Sequence, residues 1–265
     1  QFDKNAIIGF VLLALMFLGF FYFTRTGQLE AQKEAKHRAD SIAALQPKVD
    51  SNLVRTDSIN SANQERLQSA GQFQTAVAGT EKETILENDV IKITFTNKGA
   101  QPKLVELKNY KSIDSQYVKL VQAGFDKISY PINTAANRSI QTSDLFFEQG
   151  ETLKTADGGQ SVSYVLKDSS GQGIVHQFTL HPGNYMIDWN IELTGTNTLL
   201  TQNNLNLLWQ NEVMQHEKDI ATEKRETQVG FWTKDDYDYF TLGRSNDHQF
   251  DAPLRWLSVK QKFFN

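Results

Sequence analysis

The sequence contains no cysteine among its 265 residues. This absence excludes disulfide bonds, zinc sites built on thiolates and a thiol nucleophile. Proline is also scarce, with five residues. Neither sign of charge dominates, because 27 basic and 31 acidic residues give a net charge of −4. A nucleic-acid-binding domain would show a basic stripe, so the composition argues against nucleic acid as a partner.

Motifs of the common enzyme classes are missing too: there is no G-x-S-x-G, H-E-x-x-H, P-loop or dinucleotide fingerprint. Among the histidines, His176 falls on the same face of a predicted strand as the apolar residues Ile174 and Phe178, and His181 lies five residues further on. With a carboxylate such as Glu192, this pair could act in acid–base chemistry or hold a metal. The pattern favours a hydrogen-bonded core histidine, so we predict no catalytic residue, no metal site and no cofactor.

Charged clusters elsewhere are predicted to be solvated. The run KDDYDY over 234–239 lacks the spacing of a calcium loop and is typical of a hairpin tip. The clusters at 217–219 and 223–226 are likewise predicted to form an exposed face.

One long apolar run stands near the N-terminus. Residues 6–23 read AIIGFVLLALMFLGFFYF and carry no charge. As a helix they would span roughly 27 Å, close to the thickness of a hydrocarbon core. No A-x-A cleavage pattern follows, so an uncleaved transmembrane anchor is predicted rather than a signal peptide. Its predicted lipid-facing residues are Ile7, Ile8, Phe10, Val11, Leu12, Leu13, Leu15, Phe17, Leu18, Phe20 and Phe21.

The orientation of this anchor stays open from the residues alone. Lys4 precedes it, whereas Arg25, Lys33, Lys36 and Arg38 follow it. A count of basic residues would place the long remainder inside the cell, but long domains cross membranes largely regardless of such charges.

A polar segment follows the anchor. Residues 25–83 hold eight basic and eight acidic residues, and Phe73 is their only aromatic residue. Such a composition struggles to bury a core. We therefore predict a neutral spacer, in which residues 29–45 could continue the anchor as a helix that Pro47 would end.

From Leu86 onward the apolar pattern has a period of two. Ile91, Ile93 and Phe95 alternate with polar residues, and the odd positions from 185 to 193 do the same. Many short strands separated by glycine-containing turns predict a mainly β fold, a large antiparallel β-sandwich. Further strands are predicted at 104–110, 117–121, 145–148, 161–167, 174–180, 205–210 and 228–232.

The last eleven residues, RWLSVKQKFFN, are basic and aromatic. On a helix after Pro253, Trp256, Val259 and Phe263 would share one side. This spacing predicts an amphipathic helix at a membrane interface, or one docked on its own sandwich. The predicted membrane-interface residues are Arg255, Trp256, Val259, Lys260, Phe263 and Phe264.

Three groups of segments carry a resemblance: 3–9 (DKNAIIG); 86–95 (LENDVIKITF) with 97–100 (NKGA) and 105–110 (VELKNY); and 256–264 (WLSVKQKFF). In this order they resemble the YidC membrane protein insertases, particularly a Bacteroidetes-like branch. The resemblance implies a mutarotase-like super-sandwich and a C-terminal helical elbow. It also implies a cytoplasmic N-terminus and a periplasmic main domain at the bacterial inner membrane.

As for function, the resemblance implies insertion and folding of membrane proteins, with no enzymatic step. The implied partners are nascent membrane proteins, the Sec translocon components SecYEG and SecDF, and the phospholipid bilayer. The family's helical bundle and its groove arginine have no counterpart here, so an N-terminal half is expected, with anchor and docking domain. The expected organisation is N-terminus 1–5, anchor 6–23, linker 24–84, sandwich 85–252 and elbow helix 253–265.

Two other functions stay open at this stage. One is a membrane-tethered carbohydrate-binding or epimerase-like sandwich, which would need His176, His181 and a carboxylate in one cleft. The other is a passive envelope adhesin or scaffold.

Overall fold

The computed structural model describes Met16 and residues 51–122, 124–134, 138–168, 171–233, 236–242 and 247–264, with backbone only at 51–59 and 196–197. Apart from Met16, the predicted anchor lies outside these residues. In the described part, no helix combines the length and the apolar character needed to cross a bilayer. Two compact units divide the chain, 1–61 and 62–265. The fold below is that of the second unit.

Short antiparallel strands dominate this unit. The helices are α1 (Ser51–Ala70, which begins in the first unit), α2 (Thr196–Leu199) and α3 (Ile220–Glu226), with 3-10 turns at Gly71–Ala76, Thr142–Asp144 and Thr201–Asn203. The strands are β1 (Glu83–Glu87), β2 (Ile91–Thr96), β3 (Gln101–Lys111), β4 (Tyr117–Val121), β5 (Lys127–Ser129), β6 (Pro131–Thr134), β7 (Arg138–Gln141), β8 (Glu148–Gln149), β9 (Leu153–Lys154), β10 (Gln160–Lys167), β11 (Gly173–Leu180), β12 (Ile187–Thr194), β13 (Leu208–Gln210), β14 (Gln228–Trp232), β15 (Tyr237–Thr241) and β16 (Trp256–Lys260).

Two main sheets carry the fold. The first has the order β1-β2-β3-β4, and the second has the order β12-β11-β10-β8, with β9 also pairing with β10. A three-stranded sheet, β15-β14-β16, contains the last described strand. The remaining pairs are β5 with β13 and β6 with β7, and every pairing is antiparallel.

The core lies between the two main sheets. In β2 the side chains of Ile91, Ile93 and Phe95 are buried, and in β11 every second residue is buried. The ring centroids of Phe95 and Phe178 lie 4.5 Å apart, which joins the inner faces of the two sheets. Burying large apolar side chains on two facing sheets is what stabilises a β-sandwich. The predicted mainly β, antiparallel fold is confirmed.

Strand predictions succeeded where alternation was regular. The strands at 117–121 and 228–232 are confirmed to the residue, and 104–110, 161–167 and 174–180 grow by one to four residues. The strand expected at 145–148 is mostly wrong, because a 3-10 turn ends at Asp144 and only Glu148–Gln149 pair with β10. The strand at 205–210 shortens to Leu208–Gln210.

The predicted helix over 253–265 is wrong. Trp256–Lys260 form β16, which pairs with β14 in the register Val229 to Val259. The segment fits the helical period and the strand period, since Trp256 and Val259 share one side of a helix, whereas Trp256, Ser258 and Lys260 share one face of a strand. The open edge of β14 decides between them, because it offers partners for the backbone N–H and C=O groups of β16.

The linker and one charged cluster also differ from expectation. Helix α1 and the turn after it lie inside the predicted spacer, and Ala70 and Phe73 are buried in the core. Residues of the predicted spacer thus contribute to the core of the second unit. The cluster at 223–226 forms part of α3, and Glu223 is buried rather than solvated.

Candidate functional site

An apolar groove of about 460 Å³ opens beside the first sheet. Strand β2 contributes Ile91 and Ile93, β3 contributes Val105, and β16 forms the facing wall. Side chains alternate between the two faces of a strand, so Ile91 and Ile93 lie on the same face of β2 and give that face its apolar character. An open apolar groove is typical of a surface that receives another apolar chain or ligand.

The rim of the groove carries exposed apolar side chains. Tyr185 and Met186, just before β12, are 41% and 71% exposed. Trp209, on β13, is 43% exposed. Tyr185 was predicted to lie on a buried strand face, but the strand begins only at Ile187. The rim therefore offers large side chains that a partner could cover.

A buried carboxylate supports the groove wall. Glu223 is 4% exposed, and its two oxygens accept the backbone N–H of His216 at 3.0 and 3.1 Å. One oxygen also accepts the Glu217 N–H at 3.1 Å, and the other accepts the Gln261 amide at 3.4 Å. Asp219 caps α3 by accepting the Thr222 N–H, which sets the direction of the helix. Glu223 thus joins α3 to the segment that follows β16.

That segment is held by further contacts. The Gln261 amide donates to the Met214 carbonyl, and the Gln261 N–H donates to the Phe264 carbonyl at 2.6 Å. The Phe264 ring packs edge-on against Tyr110 and His216, with centroids 5.5 and 5.7 Å apart. Residues 261–264 are therefore fixed to the body of the domain. Phe263, in contrast, is 63% exposed.

His176 is a core histidine, as predicted. Its Nδ1 lies 2.9 Å from the Ala100 carbonyl and its Nε2 lies 2.7 Å from the Tyr130 hydroxyl. A carbonyl only accepts, so Nδ1 carries the proton and Nε2 accepts the hydroxyl of Tyr130. Burial lowers the pKa of His176 to about 4 and raises the pKa of Tyr130. The imidazole is therefore neutral at physiological pH.

His181 occupies a different environment. It is exposed and bridges Asp157, at 2.6 Å, and Asp188, at 3.0 Å. The hydrogen bond to Asp157, followed by that to Asp188, raises the pKa of His181. Hydrogen bonds from Thr155 and then from His181 lower the pKa of the Asp157 carboxyl.

The two histidines do not form a common cleft. Glu192 pairs with Val175 in the strand register, so it lies on the sheet face opposite His176. Among the described residues, the hydrogen-bond partners of His176 are the Tyr130 hydroxyl and the Ala100 carbonyl. Among the described residues, no group of three or more His, Asp and Glu side chains is placed to hold a metal. The arrangement that a carbohydrate-converting sandwich would need, with His176, His181 and a carboxylate in one cleft, is therefore wrong.

The predicted interface residues are split by the strand. Trp256 and Lys260 share one face of β16 with Ser258, and Val259 lies on the other face. Trp256, Ser258 and Val259 all line the groove. The predicted lipid-facing residues of the anchor lie outside the described residues.

Sequence reasoning missed the support of the groove wall. Glu223 and Gln261 lie 38 positions apart, and nothing local predicts that they meet. One signal was present: Asp219 is a favoured N-cap residue and stands directly before Ile220–Glu226, which predicts the start of a short helix there.

Comparison with known proteins gives a consistent family. A sequence profile of the family described as "YidC periplasmic domain" matches residues 83–265, which contain every strand of the fold. A "Membrane protein insertase YidC" from Parabacteroides distasonis is 32% identical over 281 residues, covering 99% of this chain and 43% of the relative. Those from Phocaeicola vulgatus and Bacteroides fragilis are 30% and 27% identical, each over 99% of this chain and 42% of the relative.

The chain thus spans about two fifths of the length of the curated relatives that it matches. The profile covers both main sheets, the groove and β16, so the match is to the domain whose geometry is described above. This chain belongs to the YidC periplasmic domain family.

Proposed function

We propose that this chain supplies the membrane anchor and the periplasmic docking domain of a membrane protein insertase in the bacterial inner membrane. The observation that carries the proposal is the profile match over residues 83–265, together with relatives named as insertases that align with 99% of the chain. Its N-terminus would lie in the cytoplasm and residues 6–23 would cross the membrane. In this proposal the spacer holds the periplasmic domain above the membrane. Insertion itself needs no covalent step and no cofactor.

Physical chemistry explains what such a protein contributes. A nascent segment that enters lipid must hide its backbone hydrogen-bonding groups and polar flanks from hydrocarbon. An insertase lowers that barrier by offering a protected route. The periplasmic domain would hold partners close to this route, and we assign nascent membrane proteins and the Sec translocon (SecYEG and SecDF) as these partners.

The apolar groove is the docking surface that we propose for the translocon. It combines a wall buttressed by Glu223 with exposed rim residues, among them Met186 and Trp209. A preformed apolar groove with large rim side chains costs little ordering entropy on binding. Interface hot spots are enriched in such side chains.

Site-specific photocrosslinking tests this docking. A photoreactive phenylalanine analogue at Met186, in the protein as cells make it, is expected to capture a translocon subunit that mass spectrometry identifies. Met186 suits the probe because it is 71% exposed at the groove rim, so the substitution disturbs no buried contact.

The control is the same probe at Glu148. This residue is exposed on β8, at the edge of the second sheet opposite β12, and should give no translocon crosslink. Equal crosslinking from both positions, or translocon crosslinks from neither, would contradict docking at the groove.

A further inference from the structure

The three-stranded sheet β15-β14-β16 has two unlike faces. One face is covered around Phe231, whose ring contacts the rings of Phe240, His248 and Phe250 at centroid distances of 6.3, 5.8 and 4.7 Å. Asp238 and Leu257, on the same face, are exposed. Side chains alternate between faces along each strand, so the neighbours of Phe231 in sequence point away from this cover.

Aromatic side chains dominate the opposite face. The strand register places Trp232 between Tyr237 and Trp256. Gly230 in the same way lies between Tyr239 and Ser258. We call Trp232, Tyr237, Tyr239 and Trp256 the aromatic platform.

The rings of the aromatic platform touch one another, and all of them except the half-buried Trp232 are exposed to solvent. Trp256 lies 6.2 Å from Trp232 and 5.8 Å from Tyr237, and Tyr237 lies 6.1 Å from Tyr239. Tyr237, Tyr239 and Trp256 are 39%, 50% and 43% exposed. A side chain at Gly230 would come within 3.0 Å of the Tyr237 hydroxyl, so the glycine lets that ring lie across β14.

The charge around the platform has one dominant sign. Lys260 shares its face, and no acidic residue of the three strands does, since Asp238 pairs with Phe231 and lies on the other face. Arg255 and Lys262 flank β16. Asp236 lies in the turn before β15, where it accepts the N–H of Tyr237. On a chain whose net charge is −4, this is a locally basic surface.

We propose that the aromatic platform rests on the phospholipid bilayer, with its Trp and Tyr rings at the headgroup level and Lys260 and Arg255 beside lipid phosphates. Trp and Tyr favour this level because each combines an apolar ring with a polar group that stays hydrated. Basic side chains next to them gain energy from anionic lipids. The inference rests on the proposed membrane anchorage and adds a second contact between this chain and lipid.

A saccharide is the other ligand that stacks on exposed aromatic rings. The basic, acid-free face favours an anionic lipid surface over a neutral sugar. Exposed Phe263 lies three residues after the end of β16 and has Lys262 4.9 Å above its ring, so it extends the same combination of aromatic and basic groups.

Quenching of tryptophan fluorescence by brominated lipid tests the proposal. The full chain is reconstituted in nanodiscs whose lipids carry bromine close to the headgroup. One preparation contains zwitterionic lipid alone, and a second contains added anionic lipid. We expect strong quenching that rises with the anionic lipid and falls markedly in Trp256→Phe, with Trp232 of the same platform giving the remainder. Lys260→Glu reverses one charge, so the fraction in contact with lipid should fall by about tenfold.

Trp209→Phe is the matched control, since Trp209 and Trp256 are each 43% exposed and both line the groove, but Trp209 lies on β13, outside the sheet that carries the aromatic platform. It should leave the lipid quenching almost unchanged. Circular dichroism of each variant in unbrominated nanodiscs shows whether it has folded.

Two results would overturn the platform's contact with lipid. One is an equal loss of quenching in Trp256→Phe and Trp209→Phe. The other is saturable binding of soluble chito-oligosaccharides at Trp256 without lipid quenching, which would assign the platform to glycans. Failure of the chain to enter nanodiscs at all would instead contradict the anchorage on which the proposed function rests. The nanodiscs contain no translocon, so their result is separate from the crosslinking at Met186.

Discussion

Replacing His176 with alanine is expected to lower the free energy of unfolding by about 3–5 kcal/mol. The change removes a ring that contacts Phe147 and Trp189, at centroid distances of 5.1 and 5.2 Å, and it leaves the buried Tyr130 hydroxyl without its acceptor. Chemical denaturation followed by circular dichroism measures the loss. Gln177→Ala is the control, because Gln177 is the next residue on β11 and points to the opposite face.

The same residue predicts how stability depends on pH. Burial lowers the pKa of His176 from 6.5 to about 4, so the unfolded chain binds the proton more readily than the folded chain. Its contribution is complete above pH 6.5 and is lost as the pH falls towards 4, on the order of 2 kcal/mol between pH 7 and pH 5. His176→Leu should lack this part of the pH dependence. A loss of less than about 1 kcal/mol of unfolding free energy in His176→Ala would contradict a buried, neutral imidazole at this position. The same holds if stability depends on pH in His176→Leu as it does in the unchanged protein.

Replacing Glu223 with alanine is expected to lower the free energy of unfolding by about 2–4 kcal/mol, because it leaves the N–H groups of buried His216 and half-buried Glu217 without an acceptor. The loss should be accompanied by faster amide hydrogen exchange at 256–264, since the carboxylate also accepts from Gln261. Denaturation and hydrogen-exchange mass spectrometry measure the two effects.

Two variants separate the buried hydrogen bonds from the charge of the helix. Glu226→Ala lies one turn away in α3 and is exposed, so it should change stability by less than about 0.5 kcal/mol. Glu223→Gln keeps the shape but turns an NH₂ group towards N–H donors, so it should also be destabilising. A glutamine variant as stable as the unchanged protein would contradict the role of the carboxylate as an acceptor for several donors.

Local patterns sufficed for the strands of the sandwich and failed where distant partners decide. Strands β4 and β14 were predicted to the residue because their apolar and polar residues fit a strand bounded by turns. The segment 256–260 fits a strand and a helix equally well, and only the free edge of β14 selects the strand. The alternation of apolar residues along the strand placed His176 in the core. Its role as acceptor could not be predicted, because the donor, Tyr130, lies 46 positions away.

The candidate site was less accessible to sequence reasoning than the core. The groove is assembled from β2, β3, β13 and β16, which are far apart in sequence. The aromatic platform likewise needs the register of three strands before Tyr239 and Trp256 share a face. A resemblance to the insertases supplied the family, and the fold supplied the groove and the aromatic platform on which the two binding proposals rest.

Membrane protein insertion in cells depleted of the native protein tests the proposed function most directly. A single-spanning test protein, probed by protease added to the periplasmic side, is expected to remain uncut because its tail has not crossed. Expression of the Parabacteroides distasonis insertase, 32% identical over 99% of this chain, should restore cleavage. Normal insertion of test proteins after complete depletion would contradict an insertase and leave a passive envelope scaffold.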